Sequence, residues 1–493
     1  MDAYRHFPIF IIAIPMVMAV LMQAIGYRRK ELCMPFAAAA LLSSTTLTFL
    51  LFRRVPAGDY LSYHMSGWPP PWGIEIRIDY IGLFVLMTIC SISLLIAIFS
   101  RRYIHHELEE GKIPTYYSLF LLLTASMLGF TATGDIFNMF VFMEILALSS
   151  YALVAITARR NAVRAAFKYL LMGAPSSIMV LFAIALLYSV TGSLNMADLS
   201  SRIASSPYRE ALFASLILFM VGFGVKSALF PLHMWLPDAH SIAPSPISAM
   251  LSGLMVEVGA FAILRILFSV FTPSSSAVSG TGEALGVIAA AGVLFGGVMA
   301  ISQKDFKMMI AYSTISHIGY ILLGISMMND KALTGAIFHI FDHGLAKACF
   351  FLCSGAFIYK KGYRRIEDLK GAGQQMPWTC FAFSLAALSV VGIPPSAGFI
   401  SKWYLVWGSI AGGKYLYAVI FLVGSILAAA YCLRIIYYIF FVSPEEGKWQ
   451  RETDDAPGEM LIPIWVLSLA TLAMGILSFL VVPALQTAAR AII

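Results

Sequence analysis

The chain has 493 residues, of which 60% are apolar and only 12% charged, and its mean hydropathy is +0.83. A soluble domain carries about 25% charged residues, so a soluble enzyme, a nucleic-acid-binding protein and a disordered chain are excluded. The net charge of +7 does not reopen the nucleic-acid reading, because basic residues in a membrane protein report topology first.

A bilayer core needs about 20 apolar residues per helix. That rule predicts fourteen spans, near 7–27, 32–52, 80–100, 116–133, 135–157, 165–190, 211–236, 243–268, 284–302, 306–327, 332–358, 377–409, 415–441 and 461–488. The fold class is therefore all-α and polytopic. The first run is long enough to span and has no A-x-A pattern after it, so no cleavable signal peptide is expected. Between the second and third spans, the sequence from Leu61 to Tyr80 carries Trp68, three prolines and Trp72, then the alternating IEIRID run to Asp79. This predicts a short strand, as part of a hairpin, on the outer face. The charged, Pro-bearing stretch from Ser443 to Gly458 reads as a cytoplasmic loop. Cys33, Cys90, Cys349, Cys353, Cys380 and Cys432 lie in or beside apolar runs with no CxxC pair, and are expected as buried free thiols. There is no nucleotide-binding motif and no soluble domain.

Loops following odd-numbered spans hold eighteen basic residues, from Arg28 through Lys304, Lys307 and Lys360 to Lys448 and Arg451, and the opposite loops hold nine. The positive-inside bias places the richer set in the cytoplasm and both termini outside. Six basic residues remain within spans. Lys168, Arg265 and Arg434 lie toward span ends, where snorkelling or interhelical pairing accounts for them. Lys226, Lys347 and Lys402 are mid-span, as are the acids Glu144 and Glu257. A charge at a helix centre costs at least about 2.5–3.5 kcal/mol, so each needs a partner, a wet cavity or a function. Buried pairs that only fix helix packing are one reading; groups on a conduction path are the other.

Two spans are interrupted. The seventh contains GFGVKSALFP around Lys226, and the twelfth contains GIPPSAGFISK ending at Lys402. Proline removes a backbone hydrogen bond, and the freed carbonyls must meet water or polar groups. The interruptions are five spans apart. Spans four to eight and nine to thirteen then form two five-helix repeats, and an odd repeat length gives them opposite topology. Paired breaks of this kind point to a transport site. The expected organisation is 1–115 for the first three spans and the hairpin, 116–270 and 283–441 for the repeats, and 442–493 for the loop and last span.

In the eleventh span His339, His343 and Lys347 stack at i, i+4 and i+8 on one helix face, with His317 in the tenth. Four readings compete for the histidines. They could bind a metal, but no nearby acid completes the set. They could ligate haem. They could pack or hydrogen-bond structurally. Or they could relay protons, since histidine titrates near neutral pH.

These residues resemble a known family. The run TGDIFNMFVFME ending at Glu144, the run KSALFPLHMWLPDAH from Lys226 to His240, AYSTISHIGY around His317, the His339/His343/Lys347 row and GFISK ending at Lys402 are similar to the antiporter-like subunits of respiratory complex I, Mrp-type Na+/H+ antiporters and membrane-bound hydrogenases. The match covers roughly 80–435. The first of these runs and YSVTGSLNMADL, from Tyr188 to Leu199, look most like the D subunit of Mrp antiporters. A chain closing after its fourteenth span is expected to lack the long lateral helix of the largest members.

The resemblance implies a proton-translocating subunit of a multisubunit monovalent cation (Na+)/H+ antiporter in the cell inner (plasma) membrane. It implies other membrane subunits as partners, protons and Na+ as ions, and no cofactor or metal. The alternative is the proton-pumping subunit of a hydrogenase or NADH/quinone-type complex; either way the chain itself is not the enzyme. A stand-alone solute transporter and a haem cytochrome are further classes, the first disfavoured by the axial line of lysines and histidines. Residue by residue, Glu144 matches the acid that pairs with the broken-helix lysine, and Lys226 matches that lysine. His317, His339, His343 and Lys347 match the central polar line, and Lys402 the terminal lysine. In SGLMVEVGA, Glu257 stands where many D-type relatives have lysine. A carboxylate relays protons too, and can also coordinate a cation, which a lysine cannot.

Overall fold

The computed structural model describes residues 3–272, 276–443 and 453–493. Lys448, Arg451 and most of the predicted loop from Ser443 lie outside the described residues. The chain opens with α1 (Phe7–Arg28) and α2 (Cys33–Phe52), then the strands β1 (Tyr60–His64) and β2 (Glu75–Asp79), then α3 (Tyr80–Glu107). The first repeat holds α4 (Ile113–Ala132), α5 (Ile136–Ala155), α6 (Arg160–Thr191), the short α7 (Met196–Ser205), α8 (Arg209–Lys226), α9 (Leu236–Ile242), α10 (Ser245–Met250) and α11 (Val256–Arg265). The second holds α12 (Ser276–Ser302), α13 (Phe306–Ser326), α14 (Asp330–Lys361), α15 (Ala372–Gln375), α16 (Pro377–Val391), α17 (Ala397–Ala411) and α18 (Tyr415–Phe440). The chain closes with α19 (Gly458–Ile476) and α20 (Ser478–Ile492).

Among the described residues, 12 helices are long and apolar enough to cross a membrane. The two remaining predicted spans are the interrupted ones: α8 running into α9, and α16 with α17. One boundary differs from the expectation. The predicted span 461–488 is two helices, because the chain turns at Leu477 and α20 starts afresh at Ser478.

The hairpin forms as expected, antiparallel from Tyr60↔Asp79 to His64↔Glu75. Its buried Glu75 accepts from Ser62 Oγ at 2.5 Å and from Asn195 Nδ2 at 2.7 Å, and its carbonyl accepts from the Gly134 amide at 2.9 Å. The hairpin thus fastens the segments that lead into α5 and α7. Asp79 caps α3 through the Gly82 amide at 2.7 Å and takes two bonds from Arg265, at 2.5 and 2.6 Å. Arg265 is therefore paired between helices. Lys168 pairs with Asp238 at 2.6 Å. Arg434 donates to the carbonyls of Ile301 and Gln303 at 2.6 and 2.9 Å, satisfying the exposed end of α12.

The repeats share a packing order. α4 lies on α5, α5 on α6 and α6 on α8; α12 lies on α13, α13 on α14 and α14 on α17. The ends of these helices match as well. Asp135 caps α5 and Asp305 caps α13. Both 32-residue helices, α6 and α14, end on a left-handed glycine, Gly192 and Gly362, a backbone that costs glycine nothing. Asp135 then bridges to Asn195, and Asp305 to Arg365. Five crossings separate the two bridges, so they sit on opposite faces of the molecule: the first beside the hairpin, the second on the face of Lys360.

The centre is the most buried region. The segment from Ser245 to Val270 is enclosed on all sides, and α14 nearly so. α11 is flanked by π-helical turns at Leu251–Met255 and Ile266–Val270, geometry that often accompanies functional sites. Gly253 and Gly344 let this segment and α14 cross in backbone contact. A Cβ on Gly253 would lie 2.9 Å from the Gly344 carbonyl, and one on Gly344 would lie 2.8 Å from that of Gly253. That crossing sets Glu257 against His343.

Candidate functional site

Lys226 is the last residue of α8, immediately before the break. It is 3% exposed. Its Nζ donates to Tyr151 Oη at 3.3 Å and lies 5.6 Å from the centre of that ring. Glu144, two helical turns before Tyr151 on α5, makes no ion pair with it; Glu144 Oε1 is buried with no hydrogen-bond partner. The predicted acid and lysine are thus neighbours held apart, with a phenol on the lysine. At the break the Val225 carbonyl accepts from the Ala228 amide at 3.1 Å and from the Trp235 indole N–H at 2.9 Å. Trp235 stacks on Tyr169 at 4.0 Å, and Tyr169 meets Tyr151 edge-on at 4.5 Å. Gly259 lets α11 lie directly on the Lys226–Ser227 backbone, since a Cβ there would be 2.7 Å from the Ser227 nitrogen. Glu257 is two residues away on that helix.

Glu257 Oε1 is in close hydrogen-bonded contact with His343 Nδ1, and both side chains are buried. The His343 ring stacks on His317 at 5.3 Å. His317 Nδ1 and His339 Nε2 are hydrogen-bonded at 3.0 Å, and His339 Nδ1 reaches Ser401 Oγ at 2.8 Å. His317 Nε2 also meets Tyr431 Oη at 3.3 Å. The three histidines are therefore not a ladder up α14. The line crosses from α14 to α13 and back, then leaves for α17. Lys347 stands aside from it, donating to Ser313 Oγ on α13.

Ser401 also donates to the Gly398 carbonyl at 3.0 Å, and Lys402 is its neighbour in sequence. Lys402 Nζ donates to the carbonyls of Val390 and Val391 at 2.7 and 3.0 Å. These are the acceptors freed where α16 ends. The ammonium also lies 5.0 Å from the Tyr320 ring.

All eight predicted residues are thus placed. Glu257, His317, His339 and His343 touch in one buried cluster that ends beside Lys402, whereas Glu144 with Lys226 forms a second group and Lys347 a side branch. Several polar partners were not anticipated. Tyr151, Ser401 and Tyr431 act through contacts that no spacing rule exposes. Asp342, buried on α14, had a signal: an acid within a span costs as much as the lysines did. Lys307, counted above with the loop residues, is buried instead and donates to the Ala243 carbonyl at 2.5 Å. Among the described residues, no group of three or more His, Cys, Asp or Glu side chains is arranged to hold a metal ion.

A family model described as NADH:quinone oxidoreductase/Mrp antiporter, TM matches residues 133–428. The chain is 39% identical over 492 residues to the N subunit of the NADH-quinone oxidoreductase of Desulforudis audaxviator, with 96% of each chain covered. It is 30% identical over 411 residues to the D subunit of the Na(+)/H(+) antiporter of Alkalihalophilus pseudofirmus, covering 83% of this chain and 82% of the relative. A chain in the solved structure of the Mrp complex from Dietzia sp. DQ12-45-1b superposes with a TM-score of 0.89 at 27% identity, over 100% of this chain and 98% of that one.

Proposed function

The chain belongs to the NADH:quinone oxidoreductase/Mrp antiporter transmembrane family, and from that premise we propose that it is the proton-translocating membrane subunit of a multisubunit monovalent cation (Na+)/H+ antiporter. The observation that carries this reading is the buried run from Glu257 through His343, His317 and His339 to Ser401, ending beside Lys402.

A proton enters the first repeat and is held at Lys226. Whether it stays depends on Glu144. A carboxylate in contact favours the ammonium, and separation in a dry site favours the amine. Parting the two releases the proton toward Glu257, which shares it with His343. Each neutral imidazole offers one N–H and one lone pair, so His317 and His339 take a proton on one nitrogen and give it from the other. The step from His343 to His317 crosses stacked rings and needs a ring rotation to make a hydrogen bond. The last step, from Ser401 to Lys402, has no direct hydrogen bond and needs the lysine to leave the Val390 and Val391 carbonyls. The loops with the richer basic set face the cytoplasm and the hairpin faces outward, supported by the positive-inside bias; both termini are then outside. Residues 116–270 and 283–441 are the two half-channels.

The test is pH-driven exchange in everted membrane vesicles carrying the whole complex. Lys226→Ala should abolish exchange while the complex still accumulates; full exchange in that variant refutes the assignment. A second reading is favoured by the 39% identity to a quinone oxidoreductase subunit. It keeps the proton path and places the subunit in a redox-driven complex. Antiporter subunits co-purifying with the chain support the first reading, and iron–sulfur or hydrogenase subunits support the second.

A further inference from the structure

Each broken-span lysine needs an acid to make its proton conditional, and the second break has none of its own: α17, from Ala397 to Ala411, contains no Asp or Glu. Glu257 is engaged with His343, and Asp330 with Arg490. One buried acid on the helices around Lys402 is left. Asp342 is 1% exposed. Its Oδ1 accepts from Ser389 Oγ at 2.5 Å, and that same Ser389 oxygen accepts from the Gly398 amide at 2.9 Å. Ser389 directly precedes Val390, whose carbonyl holds the Lys402 ammonium. Asp342 Oδ2 has no hydrogen-bond partner. It faces Gly398, where a Cβ would lie 2.9 Å from it, one turn before Lys402. A carboxylate oxygen left bare in a buried site costs free energy, so a cation that can reach it will be drawn there.

We propose that Asp342 is the carboxylate partner of Lys402. The lysine has two positions: on the Val390 and Val391 carbonyls, as observed, and on Asp342 Oδ2. In the second position the proton leaves the ammonium nitrogen and joins Oδ2, turning an ammonium and a carboxylate into an amine and a carboxyl with no other reactant. Breaking that contact returns the lysine to the carbonyls and leaves the proton on the acid for release. The inference rests on the proton-translocating reading above. The charged groups that act on Asp342 are Lys402 from α17, Glu257 from α11 and Lys347 from its own helix.

The test uses everted vesicles with the full complex, and reads Na+-driven proton exchange against pH. Asp342→Asn keeps an oxygen for Ser389 but removes the charge. Exchange should fall at least about tenfold with a displaced pH profile, and Asp342→Glu should restore part of it. A wild-type rate and profile in Asp342→Asn overturns the proposal, provided Lys226→Ala is inactive in the same preparation; if Lys226→Ala is active too, it is the underlying reading that falls. Should Asp342→Asn fail to accumulate, Ser389→Ala decides. It strips the donor from Oδ1 while leaving the acid and lysine in place. A shifted pH profile supports the pairing, and an unmoved one overturns it.

Discussion

The two broken spans handle the same lysine in opposite ways. In the first, Lys226 precedes the break, a backbone amide and an indole supply the donors to the Val225 carbonyl, and the lysine nitrogen rests on the Tyr151 phenol. In the second, Lys402 follows the break and is itself the donor to the freed carbonyls. The first lysine is free of structural duty and the second is not. Inversion alone does not produce this, because a two-fold axis in the membrane plane keeps chain order and would leave both lysines on the same side of their breaks. The two repeats differ here in sequence: the lysine closes the helix before the break in one and lies in the helix after it in the other.

The largest expected effect breaks or sustains that comparison. Lys402→Ala should lose exchange and also lower the amount of assembled complex, because the buried Val390 carbonyl loses its donor, at about 1–3 kcal/mol, and the half-buried Val391 carbonyl loses one too. Lys226→Ala should lose exchange at normal complex levels. Equal accumulation of the two, measured on native gels, would show that Lys402 carries no structural load. Next comes Glu257→Gln, which keeps a hydrogen bond to His343 but cannot share a proton. Exchange should drop about 100-fold, and unaltered rate and ion selectivity would make Glu257 a packing residue.

Asp79→Asn is expected to spare exchange and cost stability instead. Burial pushes the Asp79 carboxyl up, yet the Arg265 guanidinium outweighs it and holds the group below its usual value. An acid lowered in this way stabilises the fold above its unfolded pKa, and that stability drains as pH falls through the lowered value. Removing the charge strands a buried arginine, worth about 3 kcal/mol; the low end of the range applies because Asp79 keeps 20% of its side chain exposed. A thermal-unfolding series should show the variant less stable at neutral pH, with the gap closing in acid. A constant gap would assign the effect to packing.

Much of this was legible in the chain because charge is so scarce in it. Lys226, Lys402, Glu144 and Glu257 stand out against apolar runs, and Pro and Gly mark the breaks beside two of them. The hairpin announced itself through IEIRID and the tryptophans. The hydroxyls did not. Tyr151, Ser401 and Tyr431 matter through partners 75, 62 and 114 positions away, and nothing local distinguishes them from core residues. The turn at Leu477 is hidden inside a continuous apolar run. The matching bridges, Asp135 with Asn195 and Asp305 with Arg365, use backbone pairing, which does not require the side chains to repeat.

The smallest effect is the sharpest test of how the two lysines differ. Tyr151→Phe leaves the ring beneath the Lys226 ammonium and removes only the oxygen it bonds to at 3.3 Å. Such a bond is worth about 1 kcal/mol, and the attraction of the ring face persists. Exchange should therefore slow by only about fivefold, with the pH profile displaced because the ammonium has lost a stabilising acceptor. If Tyr151→Phe is instead as inactive as Lys226→Ala, the phenol is a carrier of the proton rather than a rest for the lysine. The first repeat would then relay through hydroxyls from Tyr151 onward, and its likeness to the second, where backbone carbonyls hold the ammonium, would end at the break.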